Sequence, residues 1–270
     1  MTLLLGLVFV LLVWFSWRYA WWRWPVSERY PRILMYHMIA PHRRGARFNG
    51  LRVPPEQFEK QLCWLREHGW HCVTVSELIE QADNLPAKTV AITFDDGYAD
   101  NCVTALPLLE KYDCKATLYL VVDRFNRDWS TRRKAHHDEG ELKDEAKLSD
   151  AQVRAMLASG RVELGAHSVT HANFLKLNTE QAHREIVHAR HQLRSAFSAP
   201  VKSFAYPFGL YRPGHVALVR EAGYSSAVTT QEGIDNPADR DDLQLRRIKV
   251  SGRDNLLAFR LRLRSGRRGW

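Results

Sequence analysis

Short apolar runs and segments of helical spacing take turns along most of this chain. The first run, RILMYHMIA, follows Pro31 and reads as a strand ending at His37. From Pro55 to Gly69, Phe58, Leu62 and Leu65 recur at helical spacing, with proline at the start and glycine at the end. A short strand near Cys72–Val75 and a helix from Ser76 come next. In Thr89–Asn101 the alternating Val90, Ile92 and Phe94 predict a buried strand, followed by a helix over Asn101–Tyr112 that Asp100 or Asn101 would cap. Further strands are expected at Lys115–Val122, Val162–Gly165, Lys202–Tyr206, Ser225–Thr229 and Leu243–Val250, with helices at Asp150–Ser159, Thr179–Phe197 and Pro213–Ala222. Seven or eight β/α alternations argue for a parallel α/β barrel, closed or irregular.

Two stretches leave this rhythm. Asp123–Ser149 is charged, poor in aliphatics and reads as a long insertion loop of the kind that is often substrate-binding or mobile. His136 and His137 lie in it and read as solvated. At the other extreme, Leu3–Trp17 carries no charge. A helix of that length spans about 22 Å, short of a ~30 Å hydrocarbon core. Extension through Trp22 closes the gap if Arg18 snorkels to the interface. Trp17, Tyr19, Trp21, Trp22 and Trp24 would form the aromatic belt. A cleavable signal peptide fits poorly, because no basic residue precedes the run and no small-x-small site follows it. The expectation is a membrane anchor over residues 1–24. Arg18, Arg23, Arg29 and Arg32 follow the apolar segment, so a single-pass protein of the inner membrane would place its body on the cytoplasmic face.

Composition adds one constraint. The net charge is +9, but Arg246 to Trp270 carry eight Arg and one Lys against one Asp, leaving about +1 for the rest. Residues 253–270 therefore read as a basic tail, suited to an anionic membrane surface or a phosphorylated glycolipid, or frayed in solvent. Nothing beside it looks like a nucleic-acid module, so nucleic acid is not an expected partner. Four cysteines without paired spacing read as small buried thiols.

The chemistry concentrates at three strand ends. Asp95 and Asp96 close the Val90–Phe94 strand and are followed by Gly97. At a strand end both carboxylates can reach one site, one binding a metal and the other acting as a base, though an acidic turn without chemistry would look the same. His167 and His171 follow the Val162–Gly165 strand at i and i+4, a spacing that can share one metal ion. Pro207-Phe208-Gly209 follows the Lys202–Tyr206 strand and could aim a backbone N–H at an oxyanion, or simply turn the chain.

Together TFDDG (Thr93–Gly97), HSVTH (His167–His171) and AYPFG (Ala205–Gly209) appear in the order seen in polysaccharide deacetylases. The chain from about Ile33 to Val250 resembles this NodB-homology family, the family 4 carbohydrate esterases. The resemblance implies a distorted (β/α)7-type barrel, with the catalytic domain over residues 30–252. It implies hydrolysis of the N-acetyl group of an N-acetylhexosamine in a polysaccharide or lipid-linked glycan. It assigns Asp95 as general base and Asp96, His167 and His171 as ligands of a divalent metal, usually zinc. That metal would polarise the acetamide carbonyl and hold the water that Asp95 deprotonates. The N–H of Phe208 becomes the oxyanion donor. Two departures stand out. The arginine that often opens the third motif is replaced by Ala205, and Arg247 could orient the base instead, or serve only in a salt bridge. The late Leu-x-His motif is absent, while Met35-Tyr36-His37 resembles the early strand of a circularly permuted branch, which makes His37 the general acid. The alternative is a glycan-binding or scaffold protein on the same fold with degraded catalysis.

Overall fold

The computed structural model is described here for residues 2–129 and 140–268. His136 and His137 lie outside the described residues. In chain order the elements are α1 (Thr2–Tyr19), β1 (Arg32–Tyr36), α2 (Pro55–Glu67), β2 (His71–Val73), α3 (Val75–Glu80), β3 (Thr89–Asp96), α4 (Leu106–Lys111), β4 (Ala116–Leu120), α5 (Asp150–Ala158) and β5 (Val162–Ala166). They continue with α6 (Thr179–Phe197), β6 (Val201–Ala205), α7 (Pro213–Glu221), β7 (Ser226–Glu232), β8 (Leu245–Lys249) and α8 (Leu256–Ser265).

The strands pair in parallel in the order β1-β8-β7-β6-β5-β4-β3-β2, and β1 also pairs with β3. Seven strands thus close a ring, and β2 adds only to the first part of β3, from Thr89 to Ala91. Alternation along β3 sorts its side chains by face. Val90, Ile92 and Phe94 join the large core between strands and helices, with Leu62, Leu109 and Ile186. Ala91 faces the barrel interior, in a smaller cluster with Tyr119, Ala205, Val228 and Leu245. By the same alternation Thr93 and Asp95 point inward, so the acidic end of β3 emerges at the mouth of a filled barrel. Reciprocal side-chain caps close the starts of α3, α5 and α6: Thr74 with Glu77, Ser149 with Gln152 and Asn178 with Gln181. Each such reciprocal pair satisfies two orphan N–H groups.

Several expectations need correction. α1 stops at Tyr19 rather than running through Trp22; Ala20 takes φ +46° and Arg23 N–H donates to the Ala20 carbonyl at 3.1 Å. No helix among the described residues is long and apolar enough to cross a membrane, so the spanning anchor expected over residues 1–24 has no support here. The part of the basic stretch 253–270 that is described, up to residue 268, is not a loose tail. α8 buries Ala258, Phe259 and Leu263, and Arg262 pairs with buried Asp254. Arg32, at the start of β1, donates to the Leu263 carbonyl. The segment's charge is partly consumed in packing, which is why composition alone misread it. The helix after β3 opens with a π turn over Asn101–Ala105, and neither Asp100 nor Asn101 caps it with a side chain. Their side chains fasten β1's exit instead: Asp100 accepts from Ile39 N–H at 2.8 Å and Asn101 donates to the His37 carbonyl at 2.8 Å.

Candidate active site

A cavity of about 560 Å³ opens at the carboxyl ends of the strands, and His37, Asp95, Asp96, His167, His171 and Phe208 all line it. Arg247 is not in the wall. It lies behind Asp95, fully buried. A larger cleft of about 730 Å³ lies beside α6, lined by Arg190, His191 and Arg194. It holds no carboxylate, so chemistry rather than size identifies the site.

The two adjacent carboxylates occupy different environments. Arg247 clasps Asp95 with two N–H···O contacts of 2.7 Å, one to each oxygen. The guanidinium is itself fixed by the Thr229 carbonyl at 2.8 Å and the Thr93 hydroxyl at 3.0 Å. Burial works against the charge on Asp95, but Arg247, with His167 and His37, outweighs it and holds the carboxyl below the ordinary range. Asp96 turns the other way, at φ +76°. Its Oδ1 is 3.4 Å from Nε2 of both His167 and His171. Burial opposes this charge too, yet the two imidazoles and His37 keep Asp96 ionised well into acid.

The donor set fits a metal ion. One carboxylate oxygen and two imidazole nitrogens, all on buried residues, lie within 4.8 Å of one another. Ligands about 2.0–2.1 Å from a tetrahedral cation stand roughly 3.3 Å apart, close to the spacing seen here. His167 Nδ1 meets the Ala205 carbonyl at 2.8 Å. A carbonyl only accepts, so Nδ1 carries the proton and Nε2 keeps its lone pair toward the other two donors. His171 sits at φ +55°, and its ring packs 4.4 Å from Phe208 and 4.9 Å from Trp129. Glu185 of α6 holds the turn between the histidines. It accepts from the N–H groups of Val169 and Thr170, each at 2.9 Å, and from the Thr170 hydroxyl at 2.8 Å.

Backbone strain collects at the same place. Asp96, His171 and Phe208 all have left-handed φ values. Such residues cost on the order of 1 kcal/mol or more each and persist where surrounding structure imposes them. Two glycines make these turns possible. A Cβ on Gly97, at φ +83°, would meet Leu120 Cδ1 at 2.4 Å, and one on Gly209, at φ +65°, would meet Thr230 Oγ1 at 1.9 Å.

His37 reaches the cavity from the residue after β1. Burial lowers its pKa; Asp96 and Asp95 oppose the shift, while Lys249 and Arg247 add to it. Sequence reasoning missed Trp129, Leu142, Thr230, Lys249 and the loop residues Arg47, Phe48 and Leu51, which with Tyr206 complete the wall. Lys249 stands two residues beyond Arg247 on the same strand, so its face of the barrel was legible though its meaning there was not. Trp129 and the loop carry no periodic signal.

Comparison with known proteins agrees with this geometry. The polysaccharide deacetylase family profile matches residues 82–227. YxkH of Bacillus subtilis, which is named for the same family, is 31% identical over 224 residues, covering 81% of this chain and 71% of its own. A poly-beta-1,6-N-acetyl-D-glucosamine N-deacetylase of Staphylococcus epidermidis is 26% identical over 211 residues, 74% of this chain and 68% of that one. Among solved structures, the Streptococcus pyogenes deacetylase PplD with acetate superimposes with a TM-score of 0.70 at 26% identity, covering 86% of this chain and 95% of that one. Barrel, strand-end motifs and relatives lead to one family, and the chain belongs to the polysaccharide deacetylases, hydrolases of the family 4 carbohydrate esterases.

Proposed function

We propose that this chain hydrolyses the N-acetyl group of N-acetylhexosamine residues in a polysaccharide or lipid-linked glycan, with the cavity at the mouth of the barrel as its active site. The observation that carries the reading is the division between adjacent carboxylates: Asp95 is clamped by a buried arginine and Asp96 is grouped with two histidines. Asp96, His167 and His171 would hold a divalent cation such as zinc, which supplies Lewis-acid polarisation of the acetamide carbonyl and activation of water.

The chain's own groups do the rest. Asp95, ionised and fixed in orientation by Arg247, accepts the proton of the attacking water. The backbone N–H of Phe208 serves the oxyanion. Thr230 hydroxyl, 3.4 Å from the Phe208 carbonyl, steadies that turn. His37 donates a proton to the departing amine. Its lowered pKa makes the imidazolium a strong donor, while reducing the protonated fraction at neutral pH. The alkaline limb of activity in this reading belongs to His37.

The proposal also places the protein at the cytoplasmic face of the inner membrane. Membrane contact is supported by the exposed apolar surface of α1, including Leu4, Phe9, Val10, Leu12 and Trp17, beside the exposed Trp21, Trp22 and Trp24, and the cytoplasmic side by Arg18, Arg23, Arg29 and Arg32, which follow the apolar run. The deciding experiment measures acetate release from a panel of polymeric and lipid-linked N-acetyl sugars by the metal-loaded chain. Release from at least one, abolished in Asp95→Asn, is the expected result. Binding without release in every case would instead favour a glycan-binding protein on this fold.

A further inference from the structure

Lys249 lines the cavity but has no part in the reaction outlined above. Lys249 ends β8, and alternation puts it on the same face as Leu245 and Arg247. Leu245 packs in the barrel interior and Arg247 reaches Asp95, so Lys249 stands above them at the mouth. It lines the cavity together with His37, Tyr206, Phe208 and Thr230. It is half-buried, and its ammonium makes no hydrogen bond or ion pair with any described residue. By contrast Lys88, Lys111, Lys115 and Lys202 all meet carboxylates. Glu232, an acid whose charge acts on Lys249, accepts from the backbone N–H of Arg268 at 3.2 Å, and the positive charges of Arg268 and Arg262 oppose its pull.

Charge counting around the cavity sharpens the point. Among the described residues its wall holds two carboxylates, Asp95 and Asp96. The first is neutralised by Arg247, and the second is committed to His167 and His171. Lys249 and the exposed Arg47, whose guanidinium lies 5.6 Å from the Phe48 ring, have no countercharge in the wall. A divalent cation on Asp96 would leave the mouth more positive still. A partly desolvated cation without a partner is unfavourable until a ligand supplies one. A neutral sugar supplies only hydroxyl dipoles, whereas an anionic one completes the set.

We propose that Lys249 is a specificity-determining residue that receives an anionic group, phosphate or carboxylate, carried on the N-acetyl sugar or on its immediate neighbour, with Arg47 as the outer contact. This rests on the deacetylase reading of the site. The same charges act on the product. Deacetylation converts a neutral amide into an amine that protonates in water, and two cations in the wall then favour its departure.

The test uses the full metal-loaded chain and three defined substrates: N-acetylglucosamine 1-phosphate, a disaccharide of N-acetylglucosamine and glucuronic acid, and neutral di-N-acetylchitobiose. At least one anionic substrate is expected to exceed the neutral one by about tenfold in kcat/KM, with the advantage shrinking as salt rises. In Lys249→Gln the ratio falls to about one, with the loss carried by KM, and Lys249→Arg retains it. An advantage confined to the phosphate identifies a phosphorylated sugar; one confined to the disaccharide identifies a uronate neighbour. Equal efficiency on all three substrates, or equal loss on all three in Lys249→Gln with the melting temperature unchanged, overturns the assignment. Calorimetric binding of the anionic and neutral sugars to Asp95→Asn supplies the separate arm. If no acetate is released from any substrate but binding still discriminates and Lys249→Gln abolishes the discrimination, the deacetylase reading falls and the role of Lys249 stands.

Discussion

Arg247 on β8 grips both oxygens of Asp95 on β3, at 2.7 Å each, across a sequence separation of 152 residues. The family resemblance places an orienting arginine at position 205, but Ala205 fills barrel interior there and lends its carbonyl to His167. The cation comes instead from the last strand, and the planar fork fixes both the charge and the direction of the carboxylate.

Lysine cannot reproduce that fork. Arg247→Lys is expected to fold and bind metal but to lose about a hundredfold in kcat, since the base is paired without being aimed. Arg247→Met leaves a buried carboxylate uncompensated and should cost about 3–5 kcal/mol of stability. Denaturant unfolding beside acetate-release kinetics separates the two effects. Unchanged kcat in the lysine variant would rule out an orienting role.

The neighbouring carboxylates should respond differently to mutation. Asp95→Asn is expected to keep stoichiometric metal and lose at least about a thousandfold in turnover. His171→Ala should lose both metal and turnover, and chelation of the native chain should reproduce its activity loss. Elemental analysis of each purified variant checks the metal. Metal loss in Asp95→Asn would reverse the assigned roles.

Glu185 touches none of the reacting groups, yet it holds the turn between the two histidines by three hydrogen bonds. Its replacement by alanine is expected to weaken metal affinity by about 10–100-fold, the usual consequence of removing such support. Competition with a chromophoric chelator measures this directly, and activity should return at saturating metal.

Burial, with Glu145 adding, raises the pKa of Asp100 to about 6 against the favourable Ile39 N–H contact. The folded state therefore holds this proton more tightly than the unfolded chain, where the value is about 3.9. The contribution of Asp100 to stability is full below about pH 4 and declines as pH rises toward 6, by about 1–3 kcal/mol after allowance for its partial exposure. Asp100→Asn keeps an acceptor for Ile39 N–H and should flatten that part of the stability–pH curve. Unfolding measured from pH 4 to 7 in both chains provides the check.

Much of the barrel was legible because its strands announce themselves by alternation and its helices by spacing. The helix Thr179–Phe197 was placed with both ends correct, and the strand ends carrying Asp95, His167 and Phe208 converge as their motifs suggest. The failures share a cause. α1 was extended to match a bilayer, but the break at Ala20 is a backbone event without a glycine or proline to mark it. The C-terminal arginines were read as free charge because composition does not reveal that Arg262 meets Asp254 within a packed helix. Lys249 went unremarked because its meaning depends on which carboxylates are already matched, and that is a property of the assembled site.

The position of β8 between β1 and β7 also sets when the site can assemble. The ring closes only when the last strand inserts beside the first, and the same insertion delivers Arg247 to Asp95. A chain still short of residue 245 has its acidic pair and both histidines, but an open sheet and an unoriented base. Contacts of such long sequence separation form late, since loop closure must be overcome first. Closure of the barrel and the pairing of Arg247 with Asp95 are thereby one event, and neither can precede the synthesis of β8.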